Sequence, residues 1–481
     1  MKYTLSIIFT IILKITFAQN NVIINPLNQG INAIEYAENI DKSIKKLQAI
    51  KSNQDSVFVV LHIGDSHIQM DYFSRIIKNN LQQQFGNKGD GILFPYSACK
   101  SVGPRNLKSK FYGTWEWNNV LNNPQKSALG VVGYSLKTNS ETSSFNLRFA
   151  LDSASGLDKN IKSIKIFHGK NNYYLRLNDS VLKPNNNYYT LINNDLAKPE
   201  LFFTLSKQNT TQQEFALRGI QFTHNQKTGV EYHHCGIVGA QFVHLINNTP
   251  FFEEDISALK PDLIIFSFGS NESYNYSFDA QLYKNGVIQF IEKIKKQLPQ
   301  VQTLITTTPD TRSSGRFPKH TKVINQSLRE IAQTTHSALW DLHAVMGGNN
   351  AIQSWLSKGW SMRDRLHFTR DGYYLQGNMF SLALFDVYNK QAINKLPTDS
   401  LYNLANTQIQ TLQPSVELVT EKSTQTSTSN KSTIKHITYK VKKGDTLFKI
   451  ARKFKTTEVK IKKLNHLKSN TIGVGEVLRV R

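Results

Sequence analysis

The stretch Val57–Asp71, VFVVLHIGDSHIQMD, decides the fold. Its first seven residues, Val57–Ile63, are mostly β-branched or apolar, as in a buried strand. Gly64-Asp65-Ser66-His67 follows at once, and then Ile68, Tyr72, Phe73, Ile76, Ile77 and Leu81 recur at helical spacing. A serine therefore sits at a strand-to-helix turn, at the carboxyl end of a central strand, where open α/β sheets place their sites. The helix N-terminus offers free N–H groups to a developing negative charge. The position suits Ser66 as a nucleophile, although Gly-Asp-Ser alone is also an ordinary turn tripeptide.

Working outward, residues 19–55 are polar and Asn-rich, with an amphipathic helix expected near Ile31–Ile50. Gly86-Asn87-Lys88-Gly89-Asp90-Gly91 reads as a glycine-rich turn. Residues 101–232 change texture. Short alternating segments, among them Phe111–Trp117, Ser144–Phe149 and Leu201–Leu205, are separated by Asn, Gly, Ser and Lys clusters. That pattern predicts a β-sandwich inserted into the α/β domain, with Trp115 and Trp117 in its core. The α/β pattern resumes over 233–396 with strands at Asp262–Phe268, Val301–Thr307 and Ala338–Asp341. Helices are expected at Phe278–Leu298, Val323–Thr335 and Arg370–Tyr388. Residues 397–434 read as a linker, Ser/Thr-rich over 422–433, and 435–481 as a small compact domain.

The N-terminus has the layout of a secretory signal peptide over 1–18. Lys2 is the basic start, Leu5–Leu13 the short apolar run, and Thr16-Phe17-Ala18 the small-residue end. An exported location, periplasm or cell envelope, is expected. No later stretch is long and apolar enough to span a bilayer. The two cysteines, Cys99 and Cys235, are too few for a disulfide framework, and whether they pair is open. The net charge is +23, with 14 basic against 3 acidic residues in 434–481. With export, that charge points to an anionic envelope polymer rather than nucleic acid.

A serine hydroxyl needs a base. Asp364-Arg365-Leu366-His367 supplies one, because a three-residue offset on a turn lets Asp364 fix the tautomer of His367. Acyl transfer also needs donors where the oxyanion forms. Ser66 N–H, the Gly239 N–H in Gly236-Ile237-Val238-Gly239 and the amide of Asn271 in Gly269-Ser270-Asn271-Glu272 are the candidates, with Gly236 as the alternative glycine. His62, His233, His234, His244, His336 and His343 lack metal-ligand spacing, so no metal or cofactor is expected.

These four blocks, in this order, resemble the SGNH (GDSL-type) hydrolases. The resemblance implies a three-layer flavodoxin-like fold, with Ser66, His367 and Asp364 catalytic and Ser66, Gly239 and Asn271 forming the oxyanion hole. His67 in the first block, and a β-rich insertion before the Gly239 block, resemble the peptidoglycan O-acetylesterases with their inserted carbohydrate-binding-module-like β domain. The C-terminal Tyr439–Ala451 and Val474–Leu478 segments resemble a LysM domain, a βααβ module that binds N-acetylglucosamine-containing glycans. That implies glycan contacts near Gly444, Asp445, Thr446, Leu447 and Gly475. The expectation is an exported peptidoglycan O-acetylesterase anchored by LysM. Its rivals are an acetylesterase of another polysaccharide, a non-catalytic cell-wall-binding protein, and a lipase or thioesterase.

Overall fold

The computed structural model describes residues 30–410 apart from 53, 55, 104–106, 123–127, 150–160, 170–172, 178–179, 183–188, 197–199, 210–213 and 314–317, together with much of 438–480. The signal-peptide stretch 1–18, the Ser/Thr-rich 422–433 and Gly444 lie outside the described residues. The chain divides into two compact units, Met1–Pro414 and Ser415–Arg481.

In the first unit β1 (Ile34–Glu35) leads into α1 (Asp41–Lys51) and β2 (Val57–Gly64). Then come α2 (Ser66–Gln69), α3 (Tyr72–Phe85) and β3 (Asn87–Leu93). The β-rich stretch contributes β4 (Leu107–Tyr112), β5 (Glu116–Asn119), β6 (Tyr134–Thr138), β7 (Thr142–Phe149) and β8 (Ile161–His168). It continues with β9 (Tyr174–Leu177), β10 (Ser180–Leu182), β11 (Tyr189–Leu196), β12 (Glu200–Ser206) and β13 (Phe215–His224). After β14 (Gly229–Gly236) the chain forms α4 (Phe242–Asn248), α5 (Phe252–Leu259), β15 (Leu263–Ser267), α6 (Ala280–Gln297) and β16 (Gln302–Thr306). It closes with α7 (Thr321–Thr334), β17 (Ala338–Trp340), α8 (Leu342–Val345), α9 (Ala351–Ser357), α10 (Arg370–Gln391) and α11 (Asp399–Gln410).

The main sheet runs β1-β17-β16-β15-β2-β14-β3-β13-β6-β5. From β17 to β3 every pairing is parallel, so both faces need cover. Alternation along β2 sends Phe58 and Val60 to one face, against Phe73 and Ile77 of α3 and Met379 and Phe380 of α10. Leu61 and Ile63 join the other core, with Phe242 of α4, Ile256 of α5, Ile291 of α6 and Ile324 of α7. Each such fully buried side chain contributes about 1.5–3 kcal/mol relative to exposure. The result is the three-layer α/β fold that the resemblance implies.

The inserted β segment is continuous with this sheet. β13 pairs antiparallel with β3 and also with β8 and β6, so the main sheet extends into the insertion. A second sheet, β10-β9-β12-β7-β4, sends Phe145, Leu147, Phe203 and Leu205 into the same core as Leu217 and Phe222 of β13. Trp115 and Trp117 pack partly buried against it.

Several local expectations are corrected. Residues 87–91 form a strand, not a turn. A Cβ on Gly91, whose φ is +76°, would meet Tyr232 O at 2.2 Å, so the glycine lets two strands approach. The helix expected from Ile31 is confined to α1, because Ile34–Glu35 pairs with β17 as an edge strand. The helical spacing after Ser66 is broken at Asp71, whose φ of 60° separates α2 from α3. Residues 399–410 of the expected linker are helix α11, whose Ala405 and Ile409 are buried against the α10 side of the core. Strand β14 runs across the 232/233 boundary. Cys99 and Cys235 are buried free thiols.

In the second unit β18 (Thr438–Lys440) pairs antiparallel with β19 (Val477–Arg479), and α12 spans Leu447–Lys453. Val441, Leu447, Ile450, Ile461, Leu478 and Val480 form its core. Leu447 is therefore not a glycan contact through its side chain, which is 1% exposed. Asp445 Oδ2 accepts from Tyr439 Oη at 2.9 Å and Lys442 N at 2.8 Å, fixing the turn before Thr446. Gly475, with φ +91°, donates its N–H to Val441 O at 2.8 Å.

Candidate active site

Strand β2 ends at Gly64 between parallel β14 and β15, and Asp65 caps α2 by accepting the His67 N–H at 2.9 Å. Ser66 is thereby the first residue of a one-turn helix at the carboxyl edge of the sheet. Its Oγ lies 3.1 Å from His367 Nε2. His367 Nδ1 lies 2.8 Å from Asp364 Oδ2.

The Asp364–His367 turn is built locally. Asp364 Oδ1 accepts the N–H groups of Leu366 and His367, each at 3.0 Å. Arg365 adopts a left-handed φ of 55°, an unusual backbone for a non-glycine and a cost met by those bonds. Arg365 O in turn accepts Arg312 N–H at 2.7 Å, tying the turn to the loop after β16. Burial raises the Asp364 pKa, but the His367 ring and the two N–H groups outweigh it and hold the carboxyl below its ordinary value. An ionised Asp364 keeps the proton of His367 on Nδ1 and leaves Nε2 to accept from Ser66.

Gly239 and Asn271 stand on neighbouring loops. Asn271 Nδ2 donates to Ala240 O at 2.8 Å, which leaves the second amide hydrogen to point elsewhere. Gly239 has φ +78°, and its N–H meets no acceptor among the described residues. Gly236 has a different task. A Cβ there would sit 1.9 Å from Gln69 N, so the end of β14 packs directly on α2.

Two residues with no assigned role in the sequence reading, Gln69 and Glu272, hold these loops. Gln69 Oε1 accepts Val238 N–H at 2.7 Å, and its Nε2 donates to Ser101 Oγ at 2.8 Å and Val102 O at 2.6 Å. The signal in sequence is weak: a polar residue inside a short helix whose every residue is buried. Glu272 accepts Phe242 N–H at 2.6 Å and Gly269 N–H at 3.1 Å, joining the Asn271 loop to the start of α4. Burial pushes the Glu272 carboxyl up to about 7, and burial pushes Asp65 up to about 7 as well. His67 packs its ring 5.6 Å from that of His367, with Nδ1 2.8 Å from Tyr373 Oη. Burial first, then the neighbouring His367, lowers the His67 pKa to about 3, so its imidazole is neutral.

The arrangement holds an acceptor nitrogen against a serine hydroxyl, with N–H donors on two adjacent loops. Residues 209–375 match the model of the GDSL-like Lipase/Acylhydrolase family, and residues 439–481 match the LysM domain. The first of these stretches is similar to GDSL-type acylhydrolases. The acylhydrolase fold resembles a solved structure described as "Peptidoglycan O-acetylesterase in action, 5 min". The likeness has a TM-score of 0.64 and 22% identity, covering 74% of this chain and 99% of that one. Over 44 residues the chain is 59% identical to the probable peptidoglycan endopeptidase LytE of Bacillus subtilis (strain 168), a match to 9% of this chain. The chain spans 13% of that protein's length. No helix among the described residues is long and apolar enough to cross a membrane.

Proposed function

We propose that this chain is an exported serine esterase that removes O-acetyl groups from cell-wall peptidoglycan and is held there by its LysM domain. The observation that carries the reading is the Ser66–His367–Asp364 hydrogen-bond chain at the carboxyl edge of the sheet, in a polypeptide that also carries a LysM domain.

Ser66 Oγ attacks the acetyl carbonyl as His367 Nε2 takes its proton. Asp364 holds the resulting imidazolium. The negative charge on the former carbonyl oxygen is met by Ser66 N–H, Gly239 N–H and the free amide hydrogen of Asn271. Collapse expels the sugar oxygen, which takes the proton from His367. Water, activated by the same imidazole, then releases acetate from Ser66. The likeness to LysM domains would put glycan contacts at the turns that hold Asp445, Thr446 and Gly475. The LysM segment carries about half of the chain's excess positive charge, which suits a polymer bearing carboxylates.

The test is acetate release from O-acetylated peptidoglycan against O-acetylated xylan at equal acetyl content. The reading expects the peptidoglycan to be deacetylated faster. Equal or faster release from xylan would reassign the enzyme to another polysaccharide.

A further inference from the structure

Three loops are joined into one wall beside His367. Tyr274, on the loop after β15, places its Oη 3.1 Å from Thr311 Oγ1 and accepts Ser313 N–H at 2.7 Å. His320 N–H donates to Ser273 O at 3.3 Å, which ties the far end of the loop after β16 to the same segment. Arg312 N–H meets Arg365 O, so the Asp364–His367 turn completes the wall.

The acids of this wall are engaged within the protein. Glu272 accepts the Phe242 and Gly269 N–H groups. Asp279 Oδ1 caps α6 through Gln281 N–H and Leu282 N–H, each at 2.9 Å. Asp310 Oδ2 accepts Ile352 N–H at 2.8 Å. Asp364 is filled by Leu366 N–H, His367 N–H and His367 Nδ1.

The cations are not engaged by acids. Arg363, Arg365 and Lys319 form no ion pair among the described residues, although Arg363 and Arg365 flank Asp364 in sequence. Arg363 and Lys319 are exposed, and Arg365 is half-buried. Lys319 Nζ lies 4.4 Å from the ring centroid of Tyr276, so an aromatic face orients that charge without neutralising it. The side chain at 365 is the most informative. Its backbone has a φ of 55°, which glycine or asparagine adopts with less strain, so the turn itself gives no reason for an arginine. A guanidinium two residues from His367 and lacking an acid suits a carboxylate brought in from outside, because its planar fork takes two oxygens.

We infer that Arg363 and Arg365, assisted by Lys319, select esters whose sugar unit also carries a carboxylate. With the ester carbonyl at Ser66, the guanidinium groups on the turn of the base receive that carboxylate. A neutral acetylated sugar lacks the contact and is turned over less efficiently. In peptidoglycan the group is the lactyl carboxylate of N-acetylmuramic acid or the carboxylate of a peptide attached there. That identity rests on the function proposed above.

The contact is tested without ester cleavage by labelling the arginines of the full chain with a dicarbonyl reagent, read by mass spectrometry. N-acetylmuramic acid should lower modification of Arg363 and Arg365 about threefold, since a bidentate carboxylate covers the guanidinium edge. Its carboxamide, which differs only in charge, should not. The adduct of the acid with L-alanine carries its carboxylate farther out. Stronger protection by the free acid assigns the lactyl group, and stronger protection by the adduct assigns the peptide. Selection is tested by kcat/KM, which should be roughly tenfold higher for the O-acetyl ester of the acid than for that of the carboxamide, as for a hydrogen bond to a charged group. The ratio should fall with salt. It should approach one when Arg363→Gln and Arg365→Gln are combined, and stay above one in Arg365→Lys. A distorted turn lowers both rates alike, so the ratio separates recognition from structure. Equal modification with acid and carboxamide, or equal protection by inorganic phosphate, would overturn the inference. A preference for the acid that survives the double substitution would also overturn it. The footprint on the unsubstituted chain is readable whether or not the proposed hydrolysis holds.

Discussion

At the residue level, the donors proposed for the oxyanion would act chiefly when charge has developed. Asn271→Ala should therefore lower kcat by roughly 10²–10³-fold with little change in KM, by analogy with other oxyanion donors. Steady-state kinetics on a soluble acetyl ester check this, and a pure KM effect would place Asn271 in substrate binding instead. Asp65 leads to a pH prediction. Its carboxyl is raised from 3.8 to about 7 by burial, so between those values the folded chain holds a proton that the unfolded chain has released. Its contribution to stability is full below about 4 and is lost as the pH rises through about 7. Asp65→Asn removes that loss while keeping an oxygen to cap α2. Relative to the parent chain the variant should gain stability from pH 4 to pH 7 in urea titrations, and parallel pH profiles would refute the assignment. Ser66, Asp364 and His367 were legible because each lies in a short local pattern. The 301-residue separation between Ser66 and His367 is closed by the sheet, not by either pattern. Gln69 and Glu272 went without a role because their partners, Val238 and Phe242, are remote in sequence and contribute only backbone N–H groups.

At the level of elements, α2 links Ser66 to the turn that carries Gly239. Gln69 reaches from it to Val238 on one side and to Ser101 and Val102 on the other. Gln69→Ala frees that turn without touching Ser66, His367 or Asp364. The expected result is a kcat about tenfold lower with KM nearly unchanged, and restoration of part of the loss by Gln69→Glu, which keeps an acceptor for Val238. A KM increase alone would show that Gln69 serves substrate binding. Parallel strands and amphipathic helices were readable from apolar periodicity, as at β2, β15, α6 and α7. The exceptions have identifiable causes. At β3 the glycines that suggest a turn are there for strand crowding. At Asp71 a left-handed residue interrupts an otherwise helical spacing. At α11 the buried Ala405 and Ile409 are too few to mark a helix that packs along one edge.

For the whole molecule, the boundary between compact units at Pro414/Ser415 separates the acylhydrolase fold from the LysM domain. A chain ending at Pro414 should hydrolyse a small soluble acetyl ester at close to the full-length rate. On insoluble peptidoglycan it should lose most of its activity, because a tethered binding module raises the local substrate concentration. Undiminished deacetylation of cell walls by the shortened chain would show that the LysM domain is not the anchor. The insertion's β character was legible from its alternating segments and turn clusters. Its fusion with the main sheet through β13 was not, because the β3–β13 pairing joins residues more than a hundred positions apart. The most direct measurement is acetate release from O-acetylated peptidoglycan by the full chain and by Ser66→Ala. The expected result is release by the parent chain and none above background by the variant, which should still sediment with the cell walls. Release by Ser66→Ala at the parent rate, with contaminating esterase excluded, would contradict catalysis by Ser66.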